Sequence, residues 1–300
     1  MKILAAVVTH NRCKLLERCI EGIQAQSSQP DSILVINNGS TDQTESMLDL
    51  KNIQYITQEN LGSAGGWNRA LEFAIDNEYD ACWLMDDDGF PDSKALKNLK
   101  KNFSEDFSCI SSIVVNEESP GFFVFPMPVL NSLGLPKIFG IPRKFYKFKK
   151  LKNFTNDNLY PFAHLFNGAL ISISAVNKVG NINKEFFLMG DEVDYFFRLR
   201  QAGKVVSCLE ALHFHPDVTK RGFNTVKIYF YIKNSIILNK RYFNNTFLRN
   251  MLVIVAIIVR VFLRNGFLAM LSMLFGRNAK FFFKAIIRGL QGKIGNDIYS

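Results

Sequence analysis

The chain opens with a repeating alternation of apolar runs and helix-period stretches. Lys2 to Val8 is a near-continuous apolar run that stops at Thr9-His10-Asn11-Arg12, and Leu15 to Gln26 follows with apolar positions at Leu15, Leu16, Cys19, Ile20 and Ile23. Runs of that length predict a buried strand, and that spacing predicts an amphipathic helix. The unit then recurs. Ser32 to Ile36 ends in Asn37-Asn38-Gly39-Ser40-Thr41-Asp42, small polar residues that form a turn in which Thr41 or Asp42 can cap a short helix. Ile53 to Ile56 leads through Glu59 to Arg69 into a helix ending near Asn77. A fourth run, Cys82 to Met85, passes directly into Asp86-Asp87-Asp88, with a helix over Ser93 to Phe103 and a strand over Cys109 to Val115 beyond it. Strands alternating with helices predict an α/β fold with a mostly parallel sheet flanked by helices, whose ligands sit beyond the carboxyl ends of the strands. Each polar cluster falls at such an end.

From Asn116 to Pro161 the pattern loosens into a variable loop region rich in Pro, Phe and Gly. It contains Pro142 to Lys152, where cations alternate with aromatics as they do at a membrane interface, along a nucleic-acid strand, or in a solvated loop. Regular structure returns with a strand over Leu165 to Ile173, an apolar lead into Asp191-Glu192-Val193-Asp194 on a helix running to Arg200, and a strand over Val205 to Leu209 followed by His213 and His215. The remainder reads as helices: Val226 to Tyr242, Leu248 to Leu263, Gly266 to Gly276, and Phe281 to Ile287.

Charge divides the chain further. The net charge is +9, yet Lys220 to Ser300 holds 14 Lys and Arg against one acid, Asp297, a net of +13 that leaves −4 for the first 219 residues. Residues 1–219 are therefore expected to form a catalytic or binding domain, and 220–300 a basic helical region suited to anionic lipid or nucleic acid. With 48% hydrophobic residues the chain can bury a sizeable core. Five scattered cysteines show neither CxxC spacing nor a disulfide pattern, and the N-terminal apolar run is too short for a secretory signal, so a reducing, cytoplasmic setting is expected.

Three adjacent aspartates after an apolar strand need a cation, because unpaired buried carboxylates would otherwise take up protons. If strand alternation continues, Asp86 and Asp88 share one side and suit Mg²⁺ or Mn²⁺, with Asp87 turned elsewhere; an acidic helix N-terminus is the plainer alternative. Gly62, Gly65 and Gly66 would let backbone approach a ligand, or would simply make a flexible loop and helix cap. Arg69 could reach a phosphate or be a solvated arginine. Asp191 and Glu192 could cap a helix and Asp194 could pair with Arg198, or the cluster could supply a general base. One of His213 and His215 is a plausible metal ligand.

As a set, Val7 to Arg12, Asn37 to Asp42, Asn60-Leu61-Gly62 with Gly65-Gly66, Asp86-Asp87-Asp88, and Asp191 to Asp194 ahead of Arg198 resemble an inverting family 2 glycosyltransferase of the GT-A fold. The galactofuranosyltransferases and rhamnosyltransferases of bacterial surface polysaccharides, O-antigen among them, are the most similar subgroups. The resemblance implies that Thr9, Asn11 and Arg12 form a nucleotide-contacting loop, that Asn38 meets the base, and that Asn60, Gly65 and Arg69 lie along the sugar diphosphate. It implies that Asp86 and Asp88 bind the metal, Mn²⁺ or Mg²⁺, with His215 as a late ligand and His213 as the fallback, while Asp87 faces the donor or acceptor sugar. The base falls to Glu192 by register or to Asp191 by residue type, many relatives having the two acids in the reverse order.

The implied reaction moves a sugar, galactofuranose favoured over rhamnose, from a nucleotide donor to a saccharide acceptor, with inversion. The tail resembles interfacial helices on the cytoplasmic face of a membrane, since the uncharged run within Leu248 to Leu263, Asn250 to Val259, is too short to span. Such an enzyme would be peripheral to the inner membrane face and act on a lipid-linked acceptor, with no nucleic acid as partner. Core packing or a homo-oligomer interface are other uses of the same helices. A nucleotidyltransferase lacks support because no basic Gly-rich signature follows the first strand, and a non-catalytic lipid- or nucleic-acid-binding protein would have no reason to place acids at two strand ends.

Overall fold

The structure, a computed structural model, describes residues 1–155, 157–218 and 222–298; the expected boundary between residues 219 and 220 lies outside them. The chain divides into two compact units, Met1–Ile182 with Tyr195–Asp217, and Asn183–Asp194 with Val218–Ser300.

In the first unit β1 (Ile3–Thr9), α1 (Cys13–Gln24), β2 (Ser32–Asn37), α2 (Thr44–Leu50), β3 (Gln54–Thr57), α3 (Gly62–Asp76) and β4 (Ala81–Asp86) follow the anticipated alternation. A two-residue strand β5 (Phe90–Pro91), α4 (Ala95–Asn102) and β6 (Phe107–Asn116) come next. The sheet order is β3-β2-β1-β4, then β10 (Asn167–Ser172), β6, β11 (Lys204–His215) and β5. Strands β1 to β4 pair in parallel, and β10 runs antiparallel between β4 and β6. The sheet is therefore mixed, and mostly parallel where the first polar clusters emerge.

Every residue of β1 is buried, because the sheet is covered on both faces. Alternate residues divide between two cores: Leu4, Ala6 and Val8 pack with Trp67, Ala70 and Leu71 of α3, while Ile3, Ala5 and Val7 pack with Leu16, Cys19 and Ile20 of α1. Gly65 and Gly66 lie inside α3, not in a loop. A Cβ on Gly66 would stand 2.4 Å from Val8 Cγ1, so this glycine serves the close seating of helix on sheet, not the approach of a ligand.

The region from Asn116 to Pro161 is more ordered than its composition suggests. It forms β7 (Phe122–Pro128), β8 (Lys144–Lys147), α5 (Phe148–Lys152) and β9 (Leu159–Tyr160), with β7 pairing β6 and β8, and β9 pairing β11. Its own apolar cluster, including Phe123, Met127, Phe145, Leu151 and Tyr160, was hidden from periodicity because the strands are short and separated by long connections. The Pro142 to Lys152 stretch lines a cavity of about 510 Å³ whose wall carries Lys137, Arg143, Lys144, Lys147 and Lys150 and no acid. After β10 comes α6 (Ile173–Val179), capped by the Ser172 hydroxyl. Strand β11 extends to His215, so both late histidines lie within its last turn of pleat and not after it.

The helix α7 (Asp191–Ala202) begins in the second unit and ends in the first. The rest of the second unit is helical: α8 (Thr225–Tyr242), α9 (Thr246–Asn265), α10 (Phe267–Leu274) and α11 (Ala279–Leu290). They surround a core that includes Tyr229, Phe230, Ile232, Ile236, Ile257 and Phe282. Helix α9 is 20 residues long, twice the uncharged stretch within it, and only 11% of its apolar window is buried. By length and composition alone it could cross a membrane, in contrast to the short span expected from Asn250 to Val259.

Candidate functional site

The strand ends of β1, β4 and β11 bring five side chains of the first unit together. β4 ends at Asp86, which is half-buried and whose amide donates to Phe166 O at 2.8 Å. The alternation expected to align Asp86 with Asp88 stops with the strand, and Asp87 and Asp88 enter a turn instead. Both are 3% exposed. Asp87 accepts from the Thr9 hydroxyl at 2.8 Å and from Arg12 Nη1 at 2.8 Å. The same Arg12 nitrogen reaches Asp88 Oδ2 at 3.1 Å, and His215 Nε2 lies 3.0 Å from Asp88 Oδ1. Burial pushes the Asp87 carboxyl above the usual carboxylate range, although Arg12 and Thr9 pull it back. Burial also opposes the charge on Arg12, but Asp87 and Asp88 outweigh it and hold the guanidinium above its ordinary value.

His215 decides whether a metal fits. Its Nδ1 lies 2.7 Å from Pro216 O and must donate there, so a neutral ring turns the Nε2 lone pair toward Asp88 Oδ1. Two electron-rich atoms 3.0 Å apart in a buried place require a cation between or on them, either a proton or a metal ion. An oxygen and an imidazole nitrogen suit Mn²⁺ and accept Mg²⁺. Among the described residues no group of three or more His, Cys, Asp and Glu converges on one point, so Asp86, Asp88 and His215 are not a ready-made trio. Such ions commonly take one or two protein ligands and complete their shell with phosphate oxygens and water. His213, the fallback, is fully buried with neither ring nitrogen hydrogen-bonded, and burial pushes its pKa down to about 3. It is a neutral core residue under the site.

The other anticipated contacts are distributed around this centre. Asn11 is exposed, has φ of 53° and accepts the Thr41 amide at 2.7 Å. Asn38 is buried, donates from its amide to Gly62 O at 3.1 Å and accepts from Gln58 at 2.7 Å, so it braces the turn from beneath. Asp42 caps two helices, accepting from the Thr44 amide at 3.1 Å and the Cys13 amide at 3.0 Å. Asn60 accepts the Gly62 amide at 3.0 Å at the start of α3. Arg69 is half-exposed on α3, 3.4 Å from Glu72.

In the second unit Asp191 and Glu192 begin α7, Asp191 buried and Glu192 half-buried. Asp194 accepts from Arg241 at 2.6 Å and from the Tyr242 hydroxyl at 2.8 Å, an anchoring by α8 that helix spacing could not suggest. Arg198, anticipated as its i,i+4 partner, donates to the carbonyls of Val179, Gly180 and Asn181 in the first unit. Sequence reasoning also missed Arg18, which donates to Asp88 O at 2.9 Å and pairs with Glu117 at 2.8 Å. It missed Asn234 as well, although a Lys-Asn pair between Tyr231-Ile232 and Ile236-Ile237-Leu238 was a visible sign of polar groups on a buried face.

Comparison with known proteins is consistent with this geometry. Residues 5–170 match Glycosyl transferase family 2. The galactofuranosyltransferase GlfT1 of Mycolicibacterium smegmatis is 30% identical over 228 residues, which cover 71% of this chain and 70% of that protein. The O-antigen chain rhamnosyltransferase RfbN of Salmonella typhimurium is 33% identical over 108 residues, covering 35% of this chain and 34% of that protein. A mannosyltransferase from Pyrobaculum calidifontis, solved in complex with GDP-Man and Mn²⁺, shares the fold at a TM-score of 0.55 and 13% identity, covering 97% of this chain and 88% of that one. These matches leave no place for the nucleotidyltransferase or for a purely lipid- or nucleic-acid-binding protein.

Proposed function

Since the chain belongs to glycosyl transferase family 2, an inverting glycosyltransferase with a GT-A fold, we propose that it transfers galactofuranose from UDP-galactofuranose to a lipid-linked saccharide in surface-polysaccharide synthesis. The observation that carries the reading is the linked run Thr9–Asp87–Arg12–Asp88–His215 at the ends of three strands, buried except at Arg12, where a nucleoside diphosphate would be held. The likeness to a galactofuranosyltransferase over 71% of the chain favours that sugar, and the shorter likeness to a rhamnosyltransferase makes dTDP-rhamnose the second reading.

Asp88 and His215, with Asp86 at the end of β4, would hold Mn²⁺ or Mg²⁺, which when bound supplies positive charge against the leaving diphosphate. Arg12 keeps Asp87 and Asp88 in place, and Arg69 would offset charge on the phosphates. Thr9, Asn11, Asn60 and the turn braced by Asn38 would shape the nucleotide pocket. The base role falls to the acidic motif at the start of α7, by register Glu192 and by residue type Asp191. It takes the proton of an acceptor hydroxyl as that oxygen bonds to the anomeric carbon and the bond to the diphosphate breaks, so the configuration inverts.

Two features support a lipid-linked acceptor and attachment to the inner face of the cytoplasmic membrane. Helix α9 exposes Phe247, Leu252, Val255, Val259 and Leu263 beside Arg249 and Arg264, an apolar face with cations suited to phosphate headgroups. The cavity lined by five cations and no acid suits a phosphate-bearing carrier.

The test is saturation-transfer NMR in Mg²⁺ with UDP-galactofuranose, UDP-galactopyranose, UDP-GlcNAc and dTDP-rhamnose in competition. UDP-galactofuranose is expected to win, with binding lost on adding EDTA and in Asp88→Asn. A win by dTDP-rhamnose would replace the sugar, and binding indifferent to EDTA would remove the metal.

A further inference from the structure

The segment that delivers the acidic motif is bent in an unusual way. Phe187, Met189 and Gly190 have φ of 51°, 62° and 99°, three left-handed residues within four positions. Side chains other than Gly, Asn and Asp rarely adopt that region, and such residues persist only where their surroundings over-determine them. Here α8 does so. Asn234, 1% exposed, directs its Nδ2 at the carbonyls of Phe186, Leu188 and Met189 at 3.2, 3.2 and 2.6 Å. A Cβ on Gly190 would stand 3.0 Å from Asn234 Cβ and 3.2 Å from Leu238, so the bend lies directly on the helix.

The same helix holds the residues on either side of the two acids. The Asp194 amide donates to Gly190 O at 2.9 Å, opening α7, and its carboxylate is taken by Arg241 and Tyr242 of α8. Beside Asn234, the buried Lys233 donates to Asp297 Oδ1 and Gly295 O, each at 2.6 Å, and the Gly295 amide donates to Glu185 O at 2.9 Å. The C-terminal strap thus fixes the entrance to the bend while Asn234 fixes the bend itself. Asn234 serves this at a cost, since its Oδ1 is buried without a hydrogen-bond partner. An apolar residue would be less costly in a helix otherwise packed with Tyr229, Phe230, Ile232 and Ile236, so stability does not account for Asn234.

We infer that Asn234 is a positioning residue for the catalytic base: by clamping three carbonyls of the bend it sets the direction in which the Asp191–Glu192 pair leaves α7. This rests on the assignment of the base to that pair. On this reading the clamp acts through the acids alone.

The experiment uses the full chain with the donor that wins the competition above, following release of its nucleoside diphosphate with water as acceptor. Asn234→Ala is expected to lower turnover at least tenfold while donor affinity stays within twofold, with faster amide hydrogen exchange over residues 187–193. Asn234→Ser, which keeps one donor, is expected to fall between, and serves if the alanine variant does not fold. The deciding arm combines Asn234→Ala with whichever of Glu192→Gln and Asp191→Asn lowers turnover more while leaving a measurable residual rate. If Asn234 works through the base, the double variant is no slower than the base variant alone. A further multiplicative loss, or a parallel loss of donor binding, would mark general structural damage and overturn the inference. Full turnover in Asn234→Ala with inactive base variants overturns it alone; full turnover in both base variants overturns the base assignment and the inference with it.

Discussion

Gly89 follows the three aspartates, and a Cβ there would stand 2.3 Å from His213 Nε2 and 2.9 Å from Phe214 O. His213 has no exposed surface into which to move, so Gly89→Ala forces β11 or the aspartate turn to shift. Overpacking of this kind costs about 1–3 kcal/mol, and a fall of several degrees in the thermal midpoint of the first unit is expected by calorimetry. An unchanged midpoint would mean that the turn is looser than its packing indicates. The sequence marked the aspartates because three adjacent carboxylates after an apolar strand demand compensation. It could not show that Asp87 and Asp88 share Arg12, because that depends on where β4 ends, and strand ends are set by pairing partners and not by the residues themselves. Asn38 shows the same limit: its residue type suits a base contact, and only the packing shows its amide bonded to Gly62 O and Gln58.

At the scale of elements, the C-terminal strap on α8 depends on a charge pair. Lys233 is fully buried, and burial pushes its ammonium below the usual lysine value, against the pull of Asp297. Burial alone would raise the Asp297 carboxyl, but hydrogen bonds from Lys233 and Tyr229 outweigh it and hold the carboxyl below the ordinary carboxylate range. The unfolded chain therefore takes up the Asp297 proton more readily than the folded one. The stability this carboxylate contributes is full above roughly pH 4 and is lost as pH falls through the lowered folded value. Acid titration followed by far-ultraviolet circular dichroism should show the helices loosening in that range. Asp297→Asn should cost about 3 kcal/mol at neutral pH, since it leaves the Lys233 ammonium buried without its counter-charge, and should flatten the acid transition. A variant as stable as the parent at pH 7 would show the strap to be dispensable.

For the whole molecule, the proposed membrane attachment turns on the uncovered face of α9. Val255 and Leu263 are 52% and 73% exposed, so replacing both with Glu should leave folding intact. The double variant is expected to lose co-sedimentation with phosphatidylglycerol vesicles at least tenfold, by removing apolar burial and adding repulsion from the anionic surface. Retention on vesicles, or a change from oligomer to monomer in light scattering, would turn the face into a protein interface. The alternation of the first hundred residues already showed a β/α sheet with its chemistry at the strand ends. The order of β7, β8 and β9 was not legible, because pairs of two to seven residues leave too little periodicity to read.

By itself the sequence determined the fold class and the family and marked the candidate stretches for chemistry, because these depend on local hydrophobic period and on a set of motifs read together. Asp86 to Asp88 and Asp191-Glu192 needed no coordinates to stand out. Only the tertiary structure decided which carboxylates share a cation, that His215 faces Asp88 while His213 is sealed in the core, and that Asn234 and Lys233 hold the bend before the acidic motif. Those facts join residues from 45 to more than 100 positions apart, and no local pattern records a contact across that distance, since it arises only when the sheet and helices are packed.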